Sequence, residues 1–196
     1  KIPCNDEANL VKDLFVAAQE LQVFLEHQSW SFCFIGGLAL QRWGEPRLTN
    51  DIDLTILAGF GSEEKFVDTL LSAFEARRPD AKEFALMYRV LLLQTSERIG
   101  IDVSLAAMPF EEVLIERATD YEFLPGCSLR VCSAEDLIVL KAFADRAQDW
   151  IDIRGILVRQ GEALDRQAVL TRLEPLVRLK EEPEILSKLR EMFTVL

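Results

Sequence analysis

The sequence predicts an α/β (α+β) protein whose 196 residues open on a helix, pass through a mixed strand and helix region, and finish in helices alone. Three observations carry this reading. Apolar residues recur at helical spacing over 7–28, as Leu10, Leu14, Ala17, Ala18, Leu21, Phe24 and Leu25. Between 32 and 133 the apolar residues fall instead into short runs and alternations bounded by Gly, Pro and Ser. Beyond 133 the helical spacing returns and holds to the end. The division is residues 1–131, a core with its N-terminal helix, and 132–196, a C-terminal helical subdomain.

Taken in order, the first helix has Asn5 or Asp6 as its expected cap. "FCFI" (32–35) reads as a short buried strand that ends in Gly36 and Gly37, and "LALQRWG" as one or two helical turns. "DIDLTIL" (51–57) alternates, with Ile52, Leu54 and Ile56 on one face and Asp51, Asp53 and Thr55 on the other. "GFGS" is a loop, and Ser62 is placed to cap a helix through about Arg77, so that Arg77-Arg78 marks a solvated helix end. "RVLLLQT" (89–95) and "IDVSLA" (101–106) form a hairpin around "SERIG", and a short helix follows at 109–118. "LRVCS" adds an edge strand, and Ser133 with Asp136 starts a capping box. Helices then run from 134, at 149–160, at 165–180 and at 183–194, with Gly161 and Pro183 as breaks.

Composition narrows the functions. The chain is 49% hydrophobic and 28% charged, the balance of a soluble globular protein with a sizeable core. No apolar run approaches the roughly 20 residues that cross a bilayer, which argues against a membrane protein. The start, "KIPCNDEANL", has none of the features of a signal peptide. A net charge of −11, from 33 acids and 22 bases, excludes a general nucleic-acid binder, whose affinity comes from cationic phosphate contacts. Arginines at 154, 159, 166, 172 and 178 leave room for a local basic face on the last helices. Cys4, Cys33, Cys127 and Cys132 lack metal-knuckle spacing and read as reduced, mostly buried thiols of a cytoplasmic protein. The single histidine, His27, reads as structural or solvated, and Trp30, Trp43 and Trp150 as packing anchors.

Chemistry concentrates in "FIGGLALQRWGEPRLTNDIDLTI". Asp51 and Asp53, two apart on a strand, share a face and repel each other unless a cation lies between them. Oxygen ligands of this kind suit Mg²⁺ or Mn²⁺. Asp102 sits inside another apolar strand; beside the first it would complete a trio able to hold two ions about 3.5–4 Å apart. The plainer alternative makes Asp102 a buried ion-pair partner. Gly36 and Gly37 let a ligand approach the backbone at a helix start, where N–H groups favour phosphate. Together these features describe phosphoryl or nucleotidyl transfer.

The pattern of Gly36-Gly37, thirteen residues, Asp51-Ile52-Asp53 and a distant Ile101-Asp102-Val103 resembles the nucleotidyltransferase superfamily of polymerase beta-like fold. The "RLTNDIDL" context, with Arg47 and Thr49, is similar to the AbiEii abortive-infection toxins. So is "SAEDLIVLKAFADRAQDWIDI", at Lys141, Arg146, Asp149 and Asp152. The resemblance spans about Phe34 to Leu157. It implies a nucleotidyltransferase core, a mixed twisted sheet flanked by helices, and transfer of a nucleoside monophosphate from an NTP to a hydroxyl. It further implies Asp51, Asp53 and Asp102 as metal ligands and catalytic groups, and Gly36, Gly37, Arg47, Thr49 and Lys141 as nucleotide-binding. The acceptor is open between a tRNA end, a protein and a small molecule, and an antitoxin is an expected partner. A different class stays open beside it: a non-catalytic nucleotide-binding or partner-binding module of the same fold.

Overall fold

The computed structural model describes the backbone of residues 4–195 and the side chains of 12–195. Its elements, in chain order, are α1 (Cys4–His27), β1 (Phe32–Phe34), α2 (Gly36–Trp43), β2 (Asp51–Leu57), α3 (Glu63–Ala73) and β3 (Glu75–Ala76). Next come α4 (Ala81–Tyr88), β4 (Val90–Gln94), β5 (Gly100–Ala106), α5 (Pro109–Glu116), β6 (Thr119–Leu124) and β7 (Cys127–Val131). Last are α6 (Ala134–Ala144), α7 (Ala147–Gln160), α8 (Arg166–Lys180) and α9 (Glu184–Val195). The helix α1 already includes Asn5 and Asp6, whose side chains, like that of Cys4, lie outside the described residues.

The chain forms two compact units: residues 1–38 with 48–131, and residues 39–47 with 132–196. The segment 39–47 lies in sequence between two parts of the first unit yet belongs to the second.

The first unit is built on one seven-stranded mixed sheet, in the order β3-β4-β5-β2-β1-β7-β6. β2 pairs with β5 in parallel and with β1 antiparallel, while β4 and β5 form the expected hairpin. Ile52, Leu54 and Ile56 of β2, Ile101, Val103 and Leu105 of β5, and Leu91 and Leu93 of β4 are at most 2% exposed. Phe32 and Phe34 sit opposite Ile56 and Leu54 and join that core. The other face of β2 and β5 carries Asp51, Asp53 and Thr55 and Asp102 and Ser104. Strand alternation thus puts the chemistry on the face that the apolar core leaves over.

Three expectations change. The helix expected through Arg77 stops at Ala73, and β3, a turn and α4 replace its end. Pro79 disfavours helix at the residue before it, so the chain straightens and pairs with β4 instead. "LRVCS" is not an edge: β7 lies between β1 and β6, and β6 takes the edge with four exposed residues, Thr119, Asp120, Tyr121 and Glu122. Charged, exposed side chains there guard an open strand edge and also disguise it as a loop in the sequence. Ser62 stands at the start of α3, but its hydroxyl donates backward to the Ala58 carbonyl (2.5 Å) rather than capping the helix.

The second unit buries Leu137, Ile138 and Val139 of α6, Ile153 and Ile156 of α7, Val169 and Leu173 of α8, and Ile185 and Leu189 of α9. Ser133 caps α6 as expected, accepting from the Asp136 N–H at 3.1 Å. From 39–47, the Trp43 indole donates to the Cys132 carbonyl (2.8 Å), and Arg159 and Gln160 donate to the carbonyls of Gly44 and Trp43. Cys33, Cys127 and Cys132 are buried. No helix among the described residues is long and apolar enough to cross a membrane.

A cluster of charges lies within this helical unit. The Lys141 ammonium, 5% exposed, sits 2.5 Å from Asp152 and 3.4 Å from Asp149. Arg47 reaches Asp152 at 3.1 Å, Gln148 donates to it at 2.9 Å, and Arg146 reaches Asp149 at 2.6 Å. Burial works to raise the Asp152 carboxyl, but the hydrogen bonds from Arg47, Lys141 and Gln148 outweigh it and hold the group below the ordinary carboxylate range. Removing one member of such a set leaves a buried charge without compensation. Asp152→Asn is therefore expected to cost about 3 kcal/mol, the low end for a broken buried pair, since Lys141 keeps Asp149. A depressed acid stabilises above its unfolded pKa, so the advantage of Asp152 should shrink as pH falls through its folded value. Urea unfolding of both proteins at neutral and acid pH measures this; equal midpoints at neutral pH would show that the cluster contributes nothing.

Candidate active site

Register assembles the carboxylates. In the parallel pairing of β2 and β5, Asp53 stands opposite Asp102 and Asp51 opposite Gly100. The two strands thereby bring all three expected acids to one end of one sheet face, with side chains 51% exposed for Asp51 and 36% for Asp102. β1 delivers the glycines to the same place: the Ile35 N–H donates to the Asp53 carbonyl at 2.9 Å, and the chain then turns into α2. The glycines are not a loop before a helix, as the sequence suggests, but its first two residues.

The spacing at this corner explains the residue types. Gly36 has φ +56, and a Cβ there would lie 2.6 Å from the Asp53 carboxyl carbon. At Gly37 a Cβ would lie 2.7 Å from that of Thr49, and the Gly37 N–H reaches the Asp53 carboxylate at 3.4 Å. Thr49 in turn donates to the Asp51 carbonyl at 3.3 Å, fixing the approach to β2. Gly100 clears the space beside Asp51: a Cβ there would stand 3.1 Å from its carboxyl carbon. A glycine directly before the Ile-Asp-Val strand was the available signal.

Arg77 is the larger omission. Its guanidinium hydrogen-bonds the Asp102 carboxylate, and its Nη1 lies 3.9 Å from Asp51. The reading of Arg77-Arg78 as a solvated helix end is thereby corrected for Arg77; Arg78 pairs locally with Asp80 at 2.9 Å. Burial is the largest influence on Asp102 and pushes its carboxyl up; Arg77 pulls down, the Asp51 charge pushes up again, and the net displacement is upward. Deeper on the same face, the buried Thr55 hydroxyl has no hydrogen-bond partner among the described residues.

Arg47 and Lys141 are in the second unit, within the ion-pair cluster around Asp152 and Asp149. Lys141 is neither a solvated helix lysine nor an exposed cation. Four of the five arginines expected on a basic face have separate partners: Arg159 with Gly44, Arg166 with the Phe193 carbonyl, Arg172 with buried Asp136, and Arg178 with Glu174.

The donor set can be tested against a divalent ion. Three carboxylates on adjacent strands supply hard oxygen ligands, and a cationic guanidinium already lies against two of them. Among the described residues no three acids, histidines or cysteines are drawn together as a ready metal cage. The chemistry of the residues fits the ion.

Fold and corner together define a nucleotidyltransferase. The family model for the nucleotidyl transferase AbiEii toxin of type IV toxin–antitoxin systems matches residues 23–192, and the chain belongs to that family. No curated protein matches it significantly. Among solved structures, it resembles an antigenic nucleotidyltransferase-like protein from Paracoccidioides brasiliensis, with a TM-score of 0.51 and 18% identity over 93% of each chain. The antibiotic-resistance factor ANT(2″)-Ia gives 0.49 and 16%, over 92% of this chain and 96% of that one. The lincosamide antibiotic adenylyltransferase LnuA gives 0.48 and 14%, over 70% and 92%. At such identities the likeness is one of fold alone, and of the three only the first reaches 0.5.

Gly36→Ala tests the tight corner. It should cost about 1–3 kcal/mol, from the left-handed backbone and the displaced Asp53. Gly61→Ala, with φ +83 and open space around it, bears only the backbone part. Comparing thermal melts separates the two; an equal loss in both variants would mean that Asp53 moves aside freely.

Proposed function

We propose that the protein transfers a nucleoside monophosphate from an NTP to a hydroxyl acceptor. The observation that carries this is the register of β2 on β5, with Asp53 opposite Asp102 and Asp51 on the same face. Asp51, Asp53 and Asp102 would hold Mg²⁺ or Mn²⁺, which when bound supplies positive charge to the phosphates. Gly36 and Gly37 leave the backbone bare where a triphosphate would approach, and Thr49 braces the entry to β2. Asp102, opposite Asp53 on the neighbouring strand, would help to take up the hydroxyl proton. The acceptor oxygen bonds to the α-phosphorus, the bond to the bridging oxygen breaks, and pyrophosphate leaves with the electron pair. In this reading Arg47 and Lys141 act through the ion-pair cluster that they help to build, not as direct phosphate ligands.

The family supports a role as the toxin of a toxin–antitoxin pair, acting in the cytoplasm with an antitoxin as its counterpart. For the acceptor, the net charge of −11 and the separately engaged arginines favour a protein or small molecule over a long RNA. A short tRNA end makes fewer demands on a basic face.

Incubation with each labelled NTP, Mg²⁺ and cellular RNA, protein or small-molecule fractions should label one fraction, and Asp53→Ala should abolish the label. Expression should arrest growth only with Asp53 intact. Absence of both labelling and pyrophosphate release would overturn the catalytic reading. The seat of Arg77 on two of the three acids favours a second reading, a module that binds nucleotide without turnover. Saturable NTP binding without pyrophosphate release would establish it.

A further inference from the structure

We propose that Arg77 is a displaceable counter-ion: its guanidinium balances Asp51 and Asp102 until a divalent ion takes the same oxygens and evicts it. The inference rests on the reading that these carboxylates receive a divalent ion.

Four observations converge on it. The Arg77 backbone is fixed, its N–H donating at 3.0 Å to the carbonyl of Leu92. Leu92 is the register partner of Asp102, so the arginine side chain starts on the far side of β4 from Asp102 and reaches it over that strand. The guanidinium addresses Oδ1 of both Asp51 and Asp102, oxygens that a divalent ion would need. Finally, Gly100 makes the room: a Cβ there would stand 3.1 Å from Arg77 Nη1 as well as crowding Asp51.

Two cations cannot share those oxygens without repelling each other. The arginine is 29% exposed and its acids 51% and 36%, and partly exposed pairs of this kind are weak enough to be exchanged. Arg77 therefore prevents the acids from repelling one another in the idle protein and sets the ion concentration at which the site fills. Arg78, held by Asp80 through two hydrogen bonds, has no such part.

Mn²⁺ titration followed by the electron spin resonance of the free ion tests the proposal. Arg77→Gln should bind Mn²⁺ several-fold more tightly than wild type, by the strength of an exposed pair, and Arg78→Gln should be unchanged. Without metal, Arg77→Gln should melt lower and gain more on adding Mn²⁺. In the wild type, Mg²⁺ should speed labelling of Arg77 by phenylglyoxal, read by peptide mass spectrometry; this arm decides if Arg77→Gln does not fold. Equal or weaker Mn²⁺ binding by Arg77→Gln, or labelling unchanged or slowed by Mg²⁺, overturns the proposal and leaves the metal reading standing. No Mn²⁺ binding by wild type or variant brings down both.

Discussion

Parallel pairing of β2 with β5 holds Asp53 against Asp102 and Asp51 against Gly100, and alternation along the strands leaves no freedom in where the acids point. A one-residue slip of β2 would turn Asp51 and Asp53 into the core and Ile52, Leu54 and Ile56 out of it, and a slip of β5 would do the same to Asp102 against Ile101, Val103 and Leu105. The cost of burying carboxylates and exposing large apolar side chains is what enforces the register. The core thus positions the chemistry without touching it. The same pairing explains the three glycines around it, because a corner with two acids, a threonine and a guanidinium packed so closely has no room for Cβ atoms.

The two units hold charge in opposite ways. In the sheet unit the acids are half open to solvent, share one arginine, and can exchange partners. In the helical unit Lys141, Asp149 and Asp152 are nearly sealed and tied by several hydrogen bonds, an arrangement costly to break and therefore rigid. Exchangeable charge suits a site that must accept ions and phosphates; fixed charge suits scaffolding. Residue type alone did not separate the two, since aspartates and basic residues furnish both.

Much of this was legible in the residues. Alternation in "DIDLTIL" and the aspartate inside "GIDVSLA" announced one polar face each, because an acid placed in an apolar strand has few reasons to be there. That the strands are neighbours, and parallel, was not legible, since register depends on contacts far apart in sequence. Arg77 was hidden for a related reason: its significance comes from Leu92 and Asp102, and the expected helix through it would have pointed it elsewhere. Lys141 shows the converse. Its position in a family-like segment was recognised, but burial and partners belong to the folded helices. β6, with four exposed residues in a row, carries no apolar alternation from which a strand could be read, since it is an edge strand.

The path of the chain through its two units has a practical side. Residues 39–47 leave the first unit after Leu38 and return to it at Leu48, while their partners Cys132, Asp152, Arg159 and Gln160 come a hundred positions later. A gene cut after Val131 would therefore yield an upstream fragment bearing Ala39 and Leu40 stripped of their surroundings, and a downstream fragment lacking the peptide that fills it. Dissection by simple truncation is closed to this molecule, and complementation between fragments would have to supply 39–47 together with the tail.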